Sequence, residues 1–242
     1  MNQNATIPLA NKREFALDLL RVIACFLVIW QHVTEAYYIN PDMTVPSHDE
    51  MPLIGWMNSM TPIEVPLFVM ISGYFLLPLK MDITAFFKRR FTRILIPFVV
   101  WCVAYAAYFM AYRGDTLTLF FRNVAHIPVN FGVEIGHMWF IYMLLGLYML
   151  VPVISPWLEQ CSKRQLQGYL GVWVFTTCLP YIHLWFPEFL GECFWNPTPM
   201  LHYFTGFAGY FVLGYYIKRY GALPVRTSLL MLVCGYLFTV AV

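Results

Sequence analysis

Four ionisable side chains, Asp18, Arg21, His32 and Glu35, fall within one apolar run spanning residues 15 to 36. On a helical wheel with Arg21 at the origin, Asp18 falls at about +60°, His32 at about +20° and Glu35 at about −40°. They share one stripe, and the rest of the circumference is Leu, Val, Ile, Phe and Trp. A charged group in hydrocarbon costs on the order of 3 kcal/mol, so such groups face a partner, a bundle interior or a wet cavity. A one-sided set of four is therefore a candidate site. Asp18 and Arg21, three residues apart, are able to pair and lower each other's cost, so they serve either the fold alone or the site. His32 stands about 16 Å further along the axis than Arg21. A neutral imidazole there, with Glu35 one turn away to orient it, suits a general base acting on a hydroxyl. The competing reading is a buried histidine bonded to a neighbouring helix.

The elements that carry these residues must be membrane helices. Of 242 residues, 60% are hydrophobic, 19% aromatic and 12% charged, against about a quarter charged in an average soluble domain. Apolar segments recur at about 15–36, 60–79, 94–112, 138–156, 166–186, 201–217 and 227–242. Without water to satisfy an open backbone, each must be helical, which gives an all-α polytopic transmembrane bundle forming a single domain over 1–242. Lys12 and Arg13, the run Lys80 to Arg93, Lys163 with Arg164, and Lys218, Arg219 and Arg226 alternate with loops nearly free of basic residues. The positive-inside rule then places the N-terminus in the cytoplasm and the protein, multi-pass, in the cytoplasmic (inner) membrane. The net charge of +2 comes from short clusters beside apolar runs, which argues against nucleic-acid binding. Six scattered cysteines have no metal-like or C-x-x-C spacing, and no histidine pair has ligand spacing, so no metal is expected. Asp18 and Arg21 interrupt the first run and no small-residue cleavage site follows, so the first helix is expected to be retained. The last segment is expected to be incomplete, since its roughly 16 residues fall short of a crossing.

The stretch RVIACFLVIWQH (21–32), preceded by ALDLL, resembles the signature of the acyltransferase-3 family of integral membrane acyltransferases. PLFVMISGYFL (66–76), KRRFTRILIPF (88–98) and HMWFIYMLLGLYMLVPVI (137–154) follow in that family's order. The resemblance implies transfer of an acetyl or other short acyl group from acyl-coenzyme A to a hydroxyl of a surface glycan. Six to seven spans are present of the family's about ten. Carried over by position, His32 is the catalytic histidine and Arg21 its essential partner, Asp18 and Glu35 support them, and the arginines near 90–93 lie on the donor side.

Lys88, Arg89, Arg90 and Arg93 put four cations at the mouth of the third helix. Guanidinium groups bind phosphate oxygens bidentately, and Arg90 with Arg93 could grip one phosphate of the polyanionic coenzyme A; ordinary topological anchoring is the other account of the cluster. Pro62 and Pro66 loosen the second span, Glu64 lies near its outer end, and Ser72 and Gly73 read as shape residues for close packing rather than as nucleophiles. His137 and Trp139 sit where an acceptor sugar could stack, or belong to an interfacial aromatic belt.

The leading expectation is an acetyl-CoA-dependent O-acetyltransferase with no permanently bound cofactor. Its partners are the bilayer, acyl-coenzyme A and a surface polysaccharide or lipid-linked glycan, with a second copy of the chain as a further candidate. An exporter of lipid-linked or acylated sugar is the alternative, disfavoured because the middle helices lack charge at mid-depth. A third reading is an inactive, truncated family member.

Overall fold

The structure, a computed structural model, describes residues 15–38, 51–129, 136–186 and 204–241. Every regular element among them is helical. They gather into two compact units, one within Met1–Ser72 and Tyr220–Val242, the other Gly73–Arg219.

The first unit begins with α1 (Phe15–Tyr38) and α2 (Met51–Asn58). A 3-10 turn at Thr61–Ile63 leads into α3 (Glu64–Leu76). Pro62 sits at the start of that turn and Pro66 within the first turn of α3, positions where a missing N–H removes no helical bond. α1 packs against α2 and the turn through a polar seam. The Thr34 hydroxyl bonds the Asn58 side chain at 2.8 Å, and the buried Thr61 hydroxyl bonds the Gln31 side chain. α9 (Val225–Ala241) is tied to the end of α2 by Tyr236 Oη donating to the Trp56 carbonyl at 3.1 Å and Thr239 Oγ1 donating to the Ser59 carbonyl at 3.0 Å.

The second unit is built on α4 (Ile83–Arg113), capped by Asp82, whose carboxylate accepts the Ala85 N–H at 2.9 Å, and ended by Gly114 at φ 73°. Its length, about 46 Å at 1.5 Å per residue, exceeds a hydrocarbon core of about 30 Å. The helix therefore extends past the apolar layer at the end that carries Lys88 to Arg93. α5 (Leu117–His126) returns along α4. Their seam with α6 (Trp139–Gln160) is closed by Phe98, Cys102, Ile127 and Tyr142, whose hydroxyl donates to the Ile127 carbonyl at 2.6 Å. α7 (Lys163–Trp185) starts on a Ser162/Gln165 capping box, and α8 (Phe207–Tyr220) packs against it. Near the end of α6 the Leu158 carbonyl, left without a helical partner, accepts from Tyr215 Oη at 3.0 Å and Arg219 Nη1 at 2.8 Å.

Among the described residues, four helical stretches are long and apolar enough to cross a membrane: Phe15–Thr34, Pro52–Leu76, Ile83–Arg113 and Trp139–Gln160. Their outward faces carry large apolar side chains such as Val22, Phe26, Ile29, Val100 and Val153. Lipid covers such faces without cost, whereas water would not, so the chain is a multi-pass membrane protein.

Candidate active site

The helical phase of α1 brings Asp18, Arg21 and His32 onto one side, with Asp18 Oδ1 and Arg21 Nη1 paired at 2.7 Å. The packed edge of α1, marked by Ala24 and Gln31, lies about 80° from this stripe by helical periodicity. Asp18 and Arg21 are therefore half-buried at the margin of the packing, and the His32 side chain is exposed. The Glu35 side chain lies outside what the structure describes.

The structure brings Glu64 to His32. Glu64 opens α3, and its backbone N–H closes the preceding turn on the Thr61 carbonyl. The carboxylate lies within electrostatic reach of His32, and its Oε2 is buried without a hydrogen-bond partner among the described residues. The sequence marks Glu64 as a polar residue of the second span but gives no signal of this neighbour, because the approach depends on the polar seam at Gln31 and Thr61.

The basic cluster occupies the first turns of α4. Lys88, Arg89 and Arg93 are exposed, whereas Arg90 is half-buried with its Nε shielded and unpaired among the described residues. Helical phase explains the difference. Phe86, four residues earlier, is fully buried against the Tyr148 ring of α6, and Arg90 follows it down the same face into the field of that phenol. Tyr148 carries no sequence signal, being one aromatic in an apolar run.

Gly73 and Ser72 separate in role. Within the second unit, which takes up α3 from Gly73 onward, a Cβ on Gly73 would stand 1.8 Å from the Phe211 carbonyl oxygen, so this position packs on the α8 backbone. Ser72 is half-buried. His137, on a 3-10 turn before α6, places Nε2 3.2 Å from Tyr105 Oη. Tyr105 with Trp101, Ala104 and Tyr108 lines a shallow groove of about 330 Å³ along α4. Trp139 stacks at a tilt on Phe207, 5.6 Å between ring centres.

The arrangement offers an imidazole on a membrane helix, a carboxylate within its electrostatic reach, and separately a set of cations of which one is held by packing. The acyltransferase-3 family model, described as an acyltransferase domain, matches residues 14–242. The chain belongs to the acyltransferase-3 family. No curated protein and no solved structure matches it. As a member of this family the chain is a membrane acyltransferase, and the residues that sequence reasoning marks for chemistry lie within the matched span.

Proposed function

We propose that this acyltransferase moves an acetyl or other short acyl group from acyl-coenzyme A to a hydroxyl of a cell-surface polysaccharide or lipid-linked glycan, in the inner membrane. The observation that carries the reading is His32, an ionisable side chain on the charged stripe of an otherwise apolar membrane helix, within electrostatic reach of a carboxylate. In the reaction the acceptor hydroxyl attacks the thioester carbonyl and its proton passes to the neutral imidazole. The new C–O bond forms, the C–S bond breaks, and the departing thiolate takes the proton back from the imidazolium. Arg21 stabilises negative charge, with Asp18 holding its guanidinium in place. Arg90 and Arg93, with Lys88 and Arg89, bind the donor's phosphates. His137 and Trp139 serve the acceptor side, Tyr105 fixing the His137 ring.

The test is thiol release from acetyl-coenzyme A by the purified chain in nanodiscs, together with acylation of surface glycan in cells. His32→Ala is expected to abolish both while the protein still inserts. Full activity in that variant would remove the histidine from the mechanism. Export of acylated glycan by a wild-type protein that releases no thiol would favour a transporter instead.

A further inference from the structure

Resting on that acyl-transfer reading, we propose that Glu64 is the positioning residue for His32, its carboxylate accepting the imidazole N–H and so fixing which ring nitrogen faces the acceptor hydroxyl. The geometry of one corner of the first unit supports this. Side chains three residues apart eclipse one another in a 3-10 turn, so Glu64 stands directly over Thr61. Thr61 is fully buried and bonded to Gln31, the residue before His32. A second tie, Thr34 to Asn58 at 2.8 Å, fixes α1 on the far side of His32. The register between α1 and the start of α3 is thus held from both sides, and Glu64 is the carboxylate that this register delivers. α2 and the turn at Thr61–Ile63 carry no titratable side chain, so the one rival carboxylate the sequence places beside His32 on the charged stripe is Glu35 of α1 itself, three residues after it.

The Glu64 Oε2 atom is buried and makes no hydrogen bond among the described residues. A buried acceptor left unmade carries the cost of its lost hydration, more so when charged, so an unused one within reach of a histidine is an acceptor held ready. Hydrogen bonds of this type are commonly long before substrate binds and tighten in the reacting complex. A carboxylate so placed selects the tautomer with its lone pair toward the substrate and stabilises the imidazolium once the proton has moved. The plainer account is that an acidic residue in the first turn of α3 complements the helix dipole, a modest effect on stability with no bearing on turnover.

The two accounts separate in kinetics. Acetyl-coenzyme A turnover by the intact chain in nanodiscs is compared for wild type, Glu64→Gln and Glu64→Asp. Positioning predicts that Glu64→Gln lowers kcat about 100-fold, the lower range for a general-base contribution, with the donor KM unchanged and insertion intact. Glu64→Asp, which keeps the carboxylate, should recover at least a tenth of wild-type kcat. Wild-type kcat in Glu64→Gln, or no recovery in Glu64→Asp, overturns the assignment. If Glu64→Gln does not insert, Glu64→Asp decides alone, with less than a tenth of wild-type kcat counting against the proposal. A wild-type protein that consumes no thioester overturns the acyl-transfer reading and this proposal with it. An active wild type with a dead His32→Ala and an undiminished Glu64→Gln overturns only the role of Glu64.

Discussion

Arg90 is set apart from the other cations of its cluster by packing. Its neighbours Lys88, Arg89 and Arg93 are exposed on α4, while Arg90 is packed by the turn that buries Phe86. A guanidinium immobilised before the ligand arrives loses less freedom on binding, and its planar fork matches two phosphate oxygens at once. Lysine in its place keeps the charge but lacks both the fork and the shielded Nε donor. Arg90→Lys is expected to raise the KM for acetyl-coenzyme A about tenfold, equivalent to about 1.4 kcal/mol, with kcat little changed. Arg93→Lys, at an exposed position, should raise it less. Equal effects, measured by thiol release over a range of donor concentrations, would show that the burial of Arg90 contributes nothing to donor binding. The sequence presents both arginines as one pair at i, i+3. Only the phase of α4 against α6 distinguishes them, and that phase is set by Phe86 meeting Tyr148.

At the level of elements, hydropathy and charge made the helices legible wherever the helix itself is apolar. α1 and α6 stand out in this way. α5 does not, because its ten residues alternate polar and apolar faces and it lies along α4 rather than repeating the pattern of a span. The start of α4 is hidden for the opposite reason: its first turns are charged, and the Asp82 cap rather than any apolar run marks where it begins. Contacts between helices are the least legible, since small residues permit many close approaches and the sequence does not say which are used. Gly73 and Gly209 are used. A Cβ at Gly73 would meet the Phe211 carbonyl oxygen at 1.8 Å, and one at Gly209 would lie 2.1 Å from the Trp173 ring. That ring is itself held by its Nε1 donating to the Gly206 carbonyl at 2.9 Å. Gly209→Ala should destabilise the chain by about 1–3 kcal/mol, the usual range for overpacking, and Gly73→Ala by at least as much because backbone stands in the way. Gly146→Ala, with nothing within 4 Å, should leave stability unchanged. Thermal unfolding in nanodiscs reads all three, and equal midpoints would show that these close approaches are not made in the membrane.

For the whole molecule, the distribution of charge along the chain decides which end of each helix meets which compartment, and this bears on the proposed function, in which donor and acceptor would approach from opposite sides. The long helix α4 illustrates the point, with Lys88 to Arg93 in its first turns and only Arg113 at its far end. Basic residues near a span are retained on the cytoplasmic side during insertion. The cations offered to a cytoplasmic thioester donor would thus be the same ones that orient the chain, and one cluster would serve both topology and the proposed donor binding. The first turn of α7 carries Lys163 and Arg164 and should share that side. The segment after α4, with Gly114 and Asp115, should face outward. Single cysteines placed at Asp115 and at Lys163, in a background cleared of native cysteines, test this directly. A membrane-impermeant maleimide added to intact cells is expected to label Asp115→Cys and to reach Lys163→Cys only after the membrane is opened. Reversed labelling would put the basic cluster outside, away from any coenzyme A. It would remove the proposed donor role of Arg90 and Arg93 even if His32 proved essential, because the histidine's chemistry does not depend on which compartment supplies the thioester and the arginines' role does.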